Sequence, residues 1–185
     1  MKRSPILLQR KQTGLVVVDM QEKLVPVMAF EKTIVTNVLR LIRAFQILQL
    51  PVFATEQNPE KLGPTIESVK TALGATQPTG KMTFSCCGED NFVRSIRQMK
   101  IQQIVLCGIE THVCIWQTAM DLLYEDFMPV AAGDALSSRR EFDHRIALDR
   151  MKDCGIHIAS TEMILFELLE KAGTDEFRGV QALIK

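Results

Sequence analysis

Two short runs without a polar residue, Leu15–Val18 (LVVV) and Ile104–Cys107 (IVLC), restrict this chain more than any other feature. A strand with one face in water alternates apolar and polar side chains, whereas a run that is apolar throughout needs cover on both faces. Strands of that kind belong to parallel sheets sandwiched between helices, because each parallel strand is reached by a long crossover. Val52–Thr55, Met128–Ala132 and Ile156–Ala159 are further short runs of strand character, and another extended segment ends around Gly80–Phe84.

The connecting stretches have helical period. Ile34, Val38, Leu41, Ile42, Phe45 and Leu48 predict a helix over 31–49, stopped by Pro51. Weaker patterns predict helices over 65–73 and 89–100, and Ile115, Ala119, Leu122 and Leu123 predict one after the Ile104–Cys107 strand. The fifth strand is expected to end at Gly133-Asp134, with Ser137 or Ser138 capping a helix whose core side carries Phe142, Ile146 and Met151. A helix begun by Ser160-Thr161-Glu162 is apolar over much of its circumference, which predicts burial in a subunit contact. An amphipathic tail (Phe177, Val180, Leu183, Ile184) is expected to dock on the body. Strands and helices alternating in this way, without repeat or linker, predict one domain over residues 1–185: a three-layer α/β/α sandwich on a mainly parallel six-stranded sheet.

Lys and Arg number 22 and Asp and Glu 22, so the chain offers no electrostatic footprint for nucleic acid or an anionic membrane, and a small-molecule partner is expected. Five cysteines without framework spacing argue against a disulfide scaffold and for a reducing, cytoplasmic compartment. The N-terminal MKRSPILLQRKQ has only Ile6–Leu8 as an apolar stretch, too short for a signal-peptide core, and no run is long enough to cross a bilayer.

In open parallel sheets, ligands bind beyond the carboxyl ends of the strands, so residues at those ends are the functional candidates. Asp19 ends the first strand, Glu56 and Gln57 the second and Lys81 the third, while Cys114 follows the fourth and Asp134 the fifth. Singly, each has an ordinary explanation: a surface carboxylate, a solvated lysine, a small buried cysteine. Together they converge on one edge.

Cys114 falls at the first turn of a helix, where unpaired N–H groups and the helix dipole predict a lowered thiol pKa. A thiol, a carboxylate and an ammonium divide the work of hydrolysing an amide or related bond. Cys114 attacks, Asp19 takes the thiol proton and returns it to the leaving group, and Lys81 holds the carboxylate. Backbone N–H groups of the Ile109–Cys114 turn can supply an oxyanion hole. Among three histidines, His112 is near Cys114 in sequence, but it shares a tight turn with it and is expected to point elsewhere. Cys86 and Cys87 have no further Cys or His at ligand spacing, and no metal is expected.

VVVDMQ (Val16–Gln21), KMTFS (Lys81–Ser85) and CGIETHVC (Cys107–Cys114), in that order, resemble the isochorismatase-like cysteine hydrolases. TEQNPEKLGPT (Thr55–Thr65) and DALSSR (Asp134–Arg139) are most similar to the isochorismatase-domain-containing subgroup. The resemblance covers residues 14–169 and implies the fold above and a triad of Asp19, Lys81 and Cys114. It also implies a cis peptide at Ile109–Glu110 that turns the Glu110 and Cys114 N–H groups toward an oxyanion. Gln21, Glu56, Gln57, Phe84 and Glu110 are positional candidates for substrate contact.

One departure is informative: nicotinamidases of the family carry an Asp-x-His metal pair where this chain reads Glu56-Gln57-Asn58-Pro59. The expectation is therefore a cofactor-free, homo-oligomeric hydrolase of an amide, carbamoyl or related C–N bond. The rival is a catalytically idle interaction protein on the same fold. A nucleotide- or flavin-binding domain is disfavoured, since no G-x-G-x-x-G or P-loop pattern follows any strand.

Overall fold

The computed structural model describes residues 3–185, so the first two residues of the basic N-terminal segment lie outside it. In strand β1 (Thr13–Val18) all six residues are buried, but alternate side chains go to opposite layers. Leu15 and Val17 join a core with helices α1 (Glu31–Ile47), α3 (Glu67–Leu73), α7 (Thr161–Leu169) and α8 (Asp175–Ile184). Val16 and Val18 join a second core with α4 (Asp90–Gln98), α5 (Trp116–Tyr124) and α6 (Glu141–Asp153). The unbroken apolar runs follow from this, because every position on the strand faces a helix.

The remaining strands are β2 (Val52–Gln57), β3 (Thr79–Lys81), β4 (Gln103–Ile109), β5 (Met128–Ser137) and β6 (His157–Ala159), with a single helical turn α2 (Pro59–Leu62) after β2. They form one six-stranded sheet of order β3-β2-β1-β4-β5-β6, and every pairing is parallel. The strand order reverses between β1 and β4, so a crevice opens at their carboxyl ends. As expected, the C-terminal tail docks as α8, with Val180 buried. Among the described residues, no helix is long and apolar enough to cross a membrane, and all five cysteines are free thiols.

Three local expectations are corrected. Before them in the chain, Gly108 lies inside β4, which continues to Ile109. Its φ is +112°, and a Cβ there would lie 2.1 Å from the Val18 carbonyl oxygen, so glycine lets β4 pass close under β1. Gly133-Asp134 is a break within β5, not its end. The pairing with β4 jumps from Leu106↔Ala131 to Gly108↔Leu136, a bulge that returns the strand to the sheet as far as Ser137. Because Ser137 is in the strand, neither it nor Ser138 caps α6, and Arg140 holds the cap position without a side-chain bond. Finally, α6 is rotated from the expected face: His144, Ala147 and Met151 are buried, while Phe142 and Ile146 are 71% and 43% exposed.

Candidate active site

Asp19 follows directly on β1 with a left-handed φ of 52°, a conformation Asp tolerates better than most residues. Its N–H donates to Thr55 O (3.1 Å) and its carbonyl accepts from Gln21 N–H (2.7 Å), which bends the chain across the crevice. The side chain is fully buried. Thr55 Oγ1 donates to Asp19 Oδ1 at 2.8 Å. Oδ2 lies 2.8 Å from Lys81 Nζ, and apart from this ion pair it has no hydrogen-bond partner.

Lys81 ends β3 and is also buried. Besides Asp19, its ammonium donates to Gln57 Oε1 (2.7 Å), Phe84 O (3.0 Å) and Thr83 O (3.3 Å). Burial works against the charge, but attraction to Asp19 and Cys114 outweighs it and lifts the Lys81 pKa above its ordinary value. Lys81 is a fixed cation in this site.

Cys114 lies in a wide helical turn, Thr111–Ile115, between β4 and α5. It is 6% exposed, with Sγ 4.0 Å from Gln57 Oε1. The lowered thiol pKa expected from the helix start is overturned. Burial and then the Asp19 carboxylate push the thiol up to about 12, and Lys81 offsets only part of this. The resting sulfur is therefore protonated at neutral pH.

The other candidates are distributed around this cluster. Gln21 is buried and spent on the scaffold: Nε2 donates to Gln57 O (3.0 Å) and Gly63 O (2.7 Å), and Oε1 accepts from Gln57 N–H (2.8 Å). Glu56 accepts from the N–H and hydroxyl of Thr65, both at 2.7 Å, and so pins the loop after β2. Phe84 reaches Lys81 through its carbonyl, while its ring is half exposed. The Ile109–Glu110 peptide is cis. The Glu110 carboxylate is held by Arg139 N–H (3.0 Å) and Nε (3.1 Å). Asp134 does not join the cluster; its Oδ1 accepts from Thr161 N–H (2.6 Å) and Oγ1 (2.8 Å) at the start of α7. His112 Nδ1 is 2.9 Å from Ser138 Oγ, so that ring nitrogen is engaged with a serine.

Sequence reasoning missed two members. Thr55 holds one carboxylate oxygen of Asp19, and its signal was a polar residue ending an apolar strand immediately before Glu56. Cys86, which the sequence assigns no part in the site, is fully buried with Sγ 3.7 Å from Thr55 Oγ1. Its backbone N–H donates to Thr118 Oγ1 (2.9 Å), one helical turn beyond Cys114. No local pattern in the sequence announces that contact.

A doubly wound sheet with an acid, an ammonium and a thiol gathered where the strand order reverses has the architecture of the isochorismatase-like hydrolases. The chain belongs to that family: the isochorismatase domain model matches residues 13–163. It is 36% identical over 169 residues to isochorismatase domain-containing protein 2A of Mus musculus, covering 90% of this chain and 80% of the relative. To isochorismatase domain-containing protein 2 of Danio rerio it is 37% identical, with 96% and 89% covered. Among solved structures, the MAR1 ribonuclease of Caenorhabditis elegans superposes with a TM-score of 0.91 at 33% identity, covering 96% of this chain and 92% of that one. The YcaC gene product of Escherichia coli, described as an octameric hydrolase of unknown specificity, shares the fold with a TM-score of 0.91 at 20% identity, over 99% and 91% of the two chains.

Proposed function

We propose that this chain is a cysteine hydrolase that cleaves an amide, carbamoyl or related C–N bond of a small molecule, with Cys114 as nucleophile, Asp19 as proton carrier and Lys81 as the fixed cation. The observation that carries this reading is the convergence of three strand ends on one buried cluster in which Asp19 keeps an oxygen free of directed hydrogen bonds. The Cys114 proton passes to Asp19 as sulfur attacks the carbonyl carbon. The C–N bond then breaks, the nitrogen leaves with that proton, and a thioester remains. Water attacks the thioester, Asp19 takes its proton, and the acid departs as the proton returns to sulfur. The Glu110 and Cys114 N–H groups would hold the oxyanion, an interaction worth about 3–4 kcal/mol in comparable sites. Glu110 N–H is not committed to any backbone hydrogen bond among the described residues, which supports that role.

The thiol, held protonated by its surroundings, suits this cycle, since the same carboxylate that raises its pKa is the group that takes the proton. A ribonuclease reading, suggested by the name of the Caenorhabditis elegans neighbour, finds less support. The ammonium of the cluster is buried against four oxygens, and the chain's charges balance. The partly exposed apolar residues of α6 and α7, Phe142, Ile146, Met163 and Phe166, favour a homo-oligomer in which they are covered; sedimentation equilibrium at micromolar concentration would return only monomer if that is wrong. The decisive assay screens small amides, carbamoyl compounds and an unstructured RNA against the wild type and Cys114→Ala. Cys114-dependent amide or carbamoyl turnover is expected. RNA cleavage indifferent to Cys114, or no turnover of any compound, would favour the ribonuclease or the idle-scaffold reading.

A further inference from the structure

Gln57 lies beside the sulfur, and its amide orientation is set by its partners. Lys81 Nζ can only donate, so the atom 2.7 Å from it is the carbonyl oxygen. The carbonyl of Met82 can only accept, so the atom 3.0 Å from it is the NH2 group. Gln21 clamps the Gln57 backbone at both its N–H (2.8 Å) and its carbonyl (3.0 Å), so the carboxamide projects from a fixed base. What this residue presents to Cys114 is therefore an acceptor that takes one hydrogen bond from Lys81 and one, at 4.0 Å, from the resting thiol, and the second lone pair comes free when the thiol proton leaves.

Resting on the cysteine-hydrolase reading above, we propose that Gln57 Oε1 is the specificity-determining acceptor for the group leaving sulfur's target carbon, selecting a nitrogen that carries hydrogen. An amide or ureido nitrogen donates to Oε1. An ester or ether oxygen at the same place sets lone pair against lone pair and leaves the acceptor unmatched. The site thereby discriminates amides from esters of the same shape, by about tenfold or more for one matched hydrogen bond.

The test uses two thiol reagents, iodoacetamide and methyl iodoacetate, which lose iodide from the same methylene and present an amide N–H or an ester oxygen on the neighbouring carbonyl, on the full chain at fixed pH. Alkylation is followed cysteine by cysteine by mass spectrometry, with exposed Cys154 as the internal reference and buried Cys107 as the reporter of folding. The readout is the Cys114/Cys154 rate ratio for the amide reagent divided by that for the ester. About tenfold or more is expected in the wild type, falling to within about twofold of unity in Gln57→Met and in Gln57→Ala, whose smaller side chain guards against a packing failure in the first. A ratio near unity in the wild type, or one that survives both substitutions with Cys107 still protected, overturns the proposal. Asp19→Asn separates the two levels. If the Cys114 rate depends on Asp19 but shows no amide preference, only this inference falls; if Cys114 ignores Asp19, the hydrolase reading falls with it.

Discussion

The turn after β3 and the turn after β4 each deliver a buried cysteine to the Asp19–Lys81 pair, and the two sulfurs differ in what they reach. Cys86 faces the Thr55 hydroxyl and is closed off from solvent. Cys114 faces Gln57 and Asp19 and keeps a narrow opening. Acidity alone would choose the wrong one. Burial, and after it Asp19, pushes Cys86 up only to about 11, against about 12 for Cys114. On the proposed reading, the nucleophile is set by access and by contact with the base, not by a standing thiolate.

The largest expected effect separates the two sulfurs directly. Cys114→Ala should lower turnover of the amide found by screening by at least about 1,000-fold, whereas Cys86→Ala should leave it within about fivefold at a stability cost of about 1–2 kcal/mol. Comparable Cys86 and Cys114 effects would dissolve the distinction. Next, Lys81→Met strands a buried carboxylate that both cysteine turns surround, at a cost of about 3–5 kcal/mol in urea unfolding, and adding Asp19→Asn should recover part of it.

The glycines sharpen the comparison further. Gly108→Ala forces a Cβ to 2.1 Å from backbone at a left-handed φ, and about 3 kcal/mol or more should be lost. Gly88→Ala, in the turn after β3, meets only the Thr83 side chain at 2.4 Å, which can shift, and about 1 kcal/mol is expected.

A further effect, spread over several pH units, is in alkali. A thiol whose folded-state pKa is raised contributes stability that is whole below the unfolded value and is lost as pH rises through the folded one. Unfolding free energy should therefore hold up to pH 9 and decline toward pH 11 and 12, as Cys86 and then Cys87 and Cys114 ionise. Cys86→Ala should flatten that decline by about 2 kcal/mol, measured by urea unfolding across the range.

How far the sequence reached can be followed through the same residues. The sheet was legible because LVVV and IVLC admit no wet face, and the end of β1 followed from where LVVV stops. Asp19, Lys81 and Cys114 were therefore found by position. What stayed hidden depended on three dimensions. The bulge at Gly133-Asp134 looks like a strand end in one dimension. The facing of α6 depends on a rotation that places His144, rather than Phe142, against the core, with its Nδ1 2.9 Å from Thr111 Oγ1. The Cys114 thiol was expected to be acidic from its place at a helix start, a local cue that burial and a carboxylate 95 residues earlier in the chain outweigh. Thr55 and Cys86 emerge only when β2 and the turn after β3 come together beside β1.

The account rests on Asp19 acting on the Cys114 thiol, and the pH dependence of alkylation, resolved by cysteine in the wild type and in Asp19→Asn, tests that most directly. Exposed Cys154 should alkylate alike in both proteins and serves as the internal reference. Cys114 in the wild type should gain reactivity only toward pH 12, and in Asp19→Asn its profile should move to lower pH even as hydrolysis is lost. A Cys114 profile that already rises well below pH 12 in the wild type and does not move in Asp19→Asn would contradict it.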